Sequence, residues 1–159
     1  MRWVFFHYTL HEASPVGSIH YTTAIELAIS TIRGFLPRYL LDLPRSSTGG
    51  TLPLEDQYQM EFYRFSYTLL DGRVLVSPGY VVKKGKGGGP VDFLIPAKKW
   101  DFELLRNRDK LVKHMERFKP NGAYYGIIKS NIMEHYIVLD VSTSKPTKLH
   151  PGTFFIALL

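Results

Sequence analysis

The stretch Pro90-Val-Asp-Phe-Leu-Ile95, followed after a short break by Trp100-Asp-Phe-Glu-Leu-Leu105, decides how this chain folds. Both segments are short, mostly apolar and rich in aromatic and branched side chains, which is typical of buried β-strands. Pro96 stops the first segment, and only four residues separate the two. A connection this short predicts two neighbouring strands of one sheet.

Each of these strands carries a carboxylate at an inner position, Asp92 in the first and Glu103 in the second. Burying a carboxylate costs several kcal/mol unless it is paired, hydrogen-bonded or bound to a metal. Side chains alternate between the two faces along a strand, so the neighbours of each acid can be assigned. We expect Asp92 to share a face with Leu94, opposite Val91, Phe93 and Ile95, and Glu103 to share a face with Asp101 and Leu105.

Outward from these strands, the apolar pattern predicts an α/β domain. Leu54, Tyr58, Phe62, Phe65 and Leu69 recur at helical spacing, and Asp71-Gly72 ends that helix. The order is a helix, three strands, a helix and a strand, which indicates a mixed sheet covered by helices. The remaining predicted elements are a first strand over 74–77 and 80–82, interrupted at Pro78-Gly79, a helix over 108–118 capped by Asn107, a fourth strand over 135–141 and a fifth over 154–159.

The N-terminal part is predicted to be an extension of this domain. Residues 19–35 have helical periodicity, and the segment 1–44 is too small for a core of its own, so it should dock on the rest. Residues 43–51 are polar and rich in helix breakers, as in a linker. We therefore divide the chain into an extension and linker, 1–52, and a main domain, 53–159. The glycine-rich segment 83–90 is interpreted as a hairpin connection.

Charge and composition narrow the functional classes. The 159 residues include no cysteine, which excludes a disulfide scaffold, thiolate zinc sites and a cysteine nucleophile. Residues 83–119 hold eleven basic and five acidic side chains, which accounts for the whole net charge of +6 and favours a polyanionic partner. No apolar run is long enough to span a membrane. We expect an intracellular protein of the cytoplasm or nucleus, or a translocated effector whose targeting segment is absent here.

A third carboxylate, Glu61, lies beside the apolar stripe of the first long helix. If Glu61, Asp92 and Glu103 converge, their mutual repulsion would be relieved by a divalent cation, since Mg²⁺ prefers oxygen ligands. The alternative is that Asp92 lies at an exposed strand end and Glu103 pairs with a surface lysine. Two acids in adjacent strands, surrounded by basic residues, favour the metal site.

The arrangement resembles the PD-(D/E)XK nuclease superfamily, with Glu61 on the helix, Pro90-Val-Asp92 on one strand and Glu103 on the next. The longer series Gly89-Pro-Val-Asp-Phe, Trp100-Asp-Phe-Glu-Leu-Leu-Arg106 and His114-Met-Glu-Arg-Phe118 is similar to the nuclease domain of Crinkler and retrotransposon-hot-spot-type proteins. This resemblance covers about residues 53–142. It implies a restriction-endonuclease-like αβββαβ core, Mg²⁺ or Mn²⁺ as cofactor and DNA as substrate.

One position departs from the resemblance. The superfamily has a lysine two residues after the second acid, where this chain has Leu105. Another cation must replace it, or the domain is inactive. Arg106 is adjacent, but a regular strand would point it to the opposite face. The resulting candidates are Glu61, Asp92, Glu103 and Arg106 for catalysis, the first three also as metal ligands, and Lys98, Lys99, Lys110, Lys113, His114 and Arg117 for substrate binding.

Three functions are compatible with these patterns. The first is metal-dependent hydrolysis of phosphodiester bonds in DNA. The second is a nucleic-acid-binding module that kept the fold without the chemistry, and the third is an effector-type interaction domain. Tyr124 and Tyr125 could stack on unpaired bases, but packing is the simpler role for both. A homodimer and a place in a larger multi-domain chain are both compatible with the sequence, which offers no membrane contact.

Overall fold

The computed structural model describes residues 20–41, 55–72, 76–81, 89–106, 110–142 and 153–157. The expected linker, residues Asn107 and Arg108, and Lys83, Lys84 and Lys86 lie outside these ranges. The helices are α1 (Ala24–Arg33), α2 (Pro37–Leu41), α3 (Glu55–Leu69), α4 (Leu111–Arg117) and α5 (Tyr125–Lys129), with a 3₁₀ turn at Pro96–Lys98. The strands are β1 (Ser77–Val81), β2 (Pro90–Ile95), β3 (Trp100–Arg106), β4 (His135–Ser142) and β5 (Thr153–Ala157).

The five strands form one mixed sheet in the order β1-β2-β3-β4-β5. Strand β2 runs antiparallel to both β1 and β3, whereas β3, β4 and β5 are parallel to one another. The structure confirms the predicted mixed α/β domain, with a mixed sheet and N-terminal helices. Strands β1 and β2, which flank the glycine-rich segment, pair antiparallel, and residues 83–88 of that segment lie outside the described ranges.

Helix α3 covers one face of the sheet through the predicted stripe. Tyr58 and Phe62 are buried, and the ring of Phe62 lies 5.2 Å from those of both Phe93 and Phe102. Centroid distances of this size are typical of favourable aromatic packing. The helix ends as predicted at Asp71-Gly72, because both residues have positive φ angles, which an α-helix does not tolerate.

Two hydrophobic clusters flank the sheet. The first joins α1, α2 and α3 to one face, through side chains such as Leu27, Phe62 and Phe102. The second joins α4 and α5 to the other face, through side chains such as Leu105, Leu111 and Val138. The N-terminal helices therefore dock on the rest, as expected. Helix α1 begins later than predicted, at Ala24, because Thr23 and Glu26 form a capping box that fixes its start.

Other boundaries differ from the predictions. Strand β1 continues through Pro78-Gly79 instead of breaking there. Its place at the edge of the sheet explains this, since a proline on an edge strand leaves no inner hydrogen bond unmade. Helix α4 begins three residues late, because Lys110 adopts a left-handed conformation. Helix α5 was not predicted. Among the described residues, no helix is both long and apolar enough to cross a lipid bilayer.

Candidate functional site

Asp92 lies where β2 and β3 separate. The two strands are paired from Ile95 and Trp100 up to Phe93 and Phe102. Beyond that pair, the backbone N–H of Leu104 donates to Oδ2 of Asp92 at 2.9 Å, so a carboxylate takes the place of a ladder carbonyl. We call this position, occupied by Asp92 and its partner Leu104, the fork.

The fork also explains one wrong prediction. Val91 was expected on the face of Phe93, but it packs in the second cluster together with Leu94. Simple alternation fails here because β2 leaves regular pairing with β3 at Asp92. Phe93 and Ile95 do pack in the first cluster, as predicted.

The surroundings of Asp92 disfavour its charged form. Burial is the largest cause, and the charges of Glu103 and, more weakly, Glu55 act in the same direction. The hydrogen bond from Leu104 and the charge of His114 oppose them. Together, these effects raise the pKa of Asp92 to about 7, so the carboxyl titrates near neutrality. Two carboxylates that repel each other in a partly buried position are typical of sites that bind a cation or move a proton.

Glu103 is fully buried on β3 and is held by two side chains of α4. Nδ1 of His114 lies 2.9 Å from Oε2, so a proton on Nδ1 makes His114 a donor to the carboxylate. Nη1 of Arg117 donates to the same oxygen at 3.3 Å. The second oxygen, Oε1, is buried without a hydrogen-bond partner in the part of the chain that the structure describes. A carboxylate oxygen in this state has capacity for one more ligand.

Tyr124 connects α4 to the start of β2. Its buried hydroxyl donates to the carbonyl of Pro90 at 2.6 Å and accepts a hydrogen bond from Nη1 of Arg117 at 3.0 Å. Burial and the charge of Glu103 raise the pKa of Tyr124, which keeps the hydroxyl protonated as a donor. Packing was therefore the correct prediction for Tyr124.

The turn after α4 places Tyr124 there. The backbone N–H of Tyr124 donates to the carbonyl of Arg117 at 2.9 Å, which folds the chain back along the helix. A β-carbon at Gly122 would lie 2.3 Å from the carbonyl oxygen of Glu116, so only glycine fits this turn.

Asp101 is a further buried acid on the same strand as Glu103. Its side chain is fully buried, and neither carboxylate oxygen has a hydrogen-bond partner among the described residues. Burial and the charges of Glu103 and Asp92 raise the pKa of Asp101 well above its usual range. These surroundings therefore disfavour the charged form of Asp101. The sequence placed Asp101 on the face of Glu103 but did not identify it as part of a site.

The structure does not bring Glu61 to the fork. Its carboxylate accepts two hydrogen bonds from Arg64, at 2.9 and 2.7 Å, and one from the backbone N–H of Leu36 at 2.9 Å. Burial tends to raise the pKa of Glu61, but these hydrogen bonds and the arginine charges outweigh it and lower the pKa. The contacts make Glu61 a link between α3 and the start of α2, which removes it from the predicted set of ligands.

The acid of α3 that influences Asp92 is Glu55. Glu55 lies six residues before Glu61, about 9 Å along the helix axis and roughly 120° around it. It lies seven residues before Phe62, which places it on the helix face that meets the sheet. That spacing was the signal in the sequence that could have identified Glu55.

Arg106 lies on the opposite face from Glu103. Pairing of β3 with β4 is regular through Arg106, so its side chain alternates with that of Leu105. Its charge acts on Tyr58 of α3, within the first cluster. Leu105, at the position of the expected lysine, is buried in the second cluster. The adjacent arginine therefore does not replace the lysine.

The predicted basic residues divide into two groups. Lys98 and Lys99 precede β3, and Lys99 is about 13 Å along the strand from Glu103. The ammonium group of Lys98 lies 5.6 Å from the ring of Trp100, and that of Lys99 lies 3.8 Å from Glu134. Lys113 is exposed on α4, one turn before Arg117, and Lys110 is exposed directly before the helix begins. Of the predicted substrate-binding residues, His114 and Arg117 contact Glu103, whereas Lys98 and Lys99 lie at the other end of β3.

Within the described ranges, no group of three or more histidine or acidic side chains is arranged so that it could hold a metal ion. A comparison of the chain with protein-family models, curated proteins and solved structures finds no match.

Proposed function

We propose that this chain is a metal-dependent nuclease domain that hydrolyses phosphodiester bonds in DNA. The observation that carries the proposal is the pair formed by Asp92 and Glu103, two mutually repelling acids on neighbouring strands. Support also comes from the order helix, three strands, helix, strand over α3 to β4, with β4 parallel to β3. This is the order that a restriction-endonuclease-like αβββαβ core would have.

The residues present fit a single Mg²⁺ or Mn²⁺ ion. Mg²⁺ usually binds to one or two protein carboxylates and completes its shell with waters and substrate phosphate, so three protein ligands are not needed. Asp92 uses only Oδ2 in hydrogen bonding among the described residues, and Oε1 of Glu103 is unpartnered there. Oδ1 of Asp92 and Oε1 of Glu103 would hold the ion. When bound, it would lower the pKa of a water molecule and stabilise charge on the phosphate.

The remaining side chains would prepare the pair for this task. His114 and Arg117 fix the orientation of Glu103 by binding Oε2 and leaving Oε1 for a ligand. The N–H of Leu104 fixes Asp92 in the same way. Lys110 and Lys113 would contact neighbouring phosphates through charge, which gives affinity without sequence readout.

The test is cleavage of supercoiled plasmid DNA by the parent protein and by Asp92→Asn. We expect nicked and linear products with Mg²⁺ or Mn²⁺, none with EDTA, and with Asp92→Asn no more product than in a sample without protein. Asp56→Asn, the same chemical change at an exposed residue of α3, should cleave like the parent. Equal cleavage by the parent and Asp92→Asn would reject this site.

A second candidate function is a nucleic-acid-binding module without catalysis. The buried leucine at position 105 favours it, because the lysine expected there is absent. This function predicts salt-dependent binding of DNA with no cleavage in any of the metal conditions above. The effector-type interaction domain would be favoured if binding to DNA were no stronger than the basic charge alone provides.

A further inference from the structure

The missing lysine leaves a defined question about the site. Leu105 is buried in the second cluster, so no cation can come from that position. Arg106 lies on the other face, and Lys98 and Lys99 lie at the far end of β3. Among the described basic residues that the sequence singled out, those that contact Glu103 lie on α4.

Arg117 is the cation that the structure holds beside Glu103. Its Nη1 atom is shared between Oε2 of Glu103 and the hydroxyl of Tyr124. Because Tyr124 is itself hydrogen-bonded to the carbonyl of Pro90, two residues before Asp92, the guanidinium is positioned relative to both acids. A side chain held at one end in this way loses less conformational entropy when it binds a ligand.

The other end of the guanidinium is available. Among the described residues, Nε and Nη2 of Arg117 have no hydrogen-bond partner, and 36% of the side-chain surface is exposed. Arginine presents its N–H groups in a planar arrangement that matches two oxygens of a phosphate. It cannot act as a base, because its pKa stays above about 12. Its contribution would be charge and hydrogen bonds.

We propose that Arg117 binds the phosphate group that lies next to Asp92 and Glu103, and so takes the place of the lysine absent at Leu105. This inference rests on the proposed function, because it assumes that a nucleic acid enters at the fork. Glu103 and Tyr124 are positioning residues for Arg117. Lys113 lies one turn before Arg117 on the same stripe of α4. It would contact phosphates further along the DNA and is the matched control.

The experiment compares Arg117→Gln, Arg117→Lys and Lys113→Gln. Folding of each variant is checked by urea denaturation, and Arg117→Lys keeps the charge should the glutamine variant be unstable. We expect Arg117→Gln to lower kcat for a duplex oligonucleotide by about 100-fold or more, the usual effect of removing one donor to developing charge. Arg117→Lys should recover part of the rate. Lys113→Gln should weaken binding in Ca²⁺ and lower kcat much less than Arg117→Gln does.

A second readout does not depend on cleavage. The Arg117 Nε–H resonance is assigned by its loss in Arg117→Lys and followed while a 5′-phosphorylated oligonucleotide is titrated in Ca²⁺. We expect this resonance to shift with saturation. If the parent cleaves and Arg117→Gln keeps its kcat, the inference is wrong and the proposed function stands. If the parent never cleaves, the proposed function fails. In that case a shifting resonance upholds the phosphate contact, and an unchanged one overturns it.

Discussion

Replacing Asp92 by asparagine is expected to stabilise the metal-free protein at pH 8 by about 2–4 kcal/mol while it abolishes the cleavage proposed above. The reason is the raised pKa of Asp92, for which burial is the largest cause and the charge of Glu103 the second. Asparagine keeps a side-chain oxygen that accepts the hydrogen bond from Leu104, so the variant removes mainly the charge. Residues suited to catalysis are often unfavourable for stability.

The sign of the pH dependence follows from the direction of the shift. A carboxyl whose pKa is higher in the folded state binds its proton more tightly there, so protonation favours folding. For Asp92, this stabilisation is complete below the ordinary aspartate pKa of about 4. It is lost as the pH rises through about 7. The parent should therefore lose stability relative to Asp92→Asn between pH 4 and 8, and the two proteins should be similar near pH 4.

Urea denaturation in EDTA at pH 4.5, 6 and 8 measures this difference, with Asp56→Asn as control. The other titratable groups that act on or respond to Asp92 are Glu103, Glu55, His114 and Asp101, and all four are present in both proteins. Mg²⁺ should raise the melting temperature of the parent at pH 8 and leave that of Asp92→Asn unchanged. A parent that is as stable as Asp92→Asn at every pH would show that Asp92 is charged and well solvated in the folded state.

Elements with their own periodicity could be predicted from the sequence. The apolar stripe of α3 and its stop at Asp71-Gly72 depend on neighbours within one helix, so local spacing contains the information. The two acidic strands, β2 and β3, were recognised for the same reason. Helix α5 was missed because its five residues are too few to show a helical period.

Contacts between distant segments could not be predicted in this way. The position of Val91 depends on where β2 leaves β3, and that point is fixed by a side chain hydrogen bond twelve residues away in sequence. The placement of Tyr124 under Arg117 depends on a tight turn at Gly122. In the sequence, Arg117 was one of several candidate substrate-binding residues, and no local pattern indicated that Tyr124 would hold it beside Glu103.

Which acid of α3 lies near Asp92 also could not be predicted from the sequence, and this question leads to the second prediction. Glu61 lies beside the apolar stripe, and its proximity to Phe62 made it a reasonable ligand. Glu61 accepts a hydrogen bond from the backbone N–H of Leu36, which lies 25 residues earlier in the chain. No pattern within α3 could therefore identify this contact. The structure assigns Glu61 to the link with α2 and leaves Glu55 as the acid whose charge reaches Asp92.

Glu61→Gln should therefore lower the stability of the protein, whereas Glu55→Gln should lower its activity. Glu61→Gln removes a nearly buried charge that is paired with Arg64, whose side chain is partly exposed. Allowing for that exposure, we expect a loss of about 1–3 kcal/mol in the free energy of unfolding. Since the pKa of Glu61 is lowered in the folded state, this loss should be present above about pH 5 and fade as the pH falls through the carboxyl pKa. Cleavage should be unchanged at temperatures where the variant is folded.

Glu55→Gln should lower activity and leave stability nearly unchanged. Removing its charge lowers the pKa of Asp92 and takes one negative charge from the surroundings of the proposed ion. We expect Mg²⁺ affinity or activity to fall about 10–100-fold, as for other groups that support metal ligands, with little change in unfolding free energy. Plasmid cleavage against Mg²⁺ concentration and urea denaturation at pH 7 measure the two effects. If Glu61→Gln is folded but inactive while Glu55→Gln cleaves normally, Glu61 returns to the site and the proposed role of Glu55 is wrong.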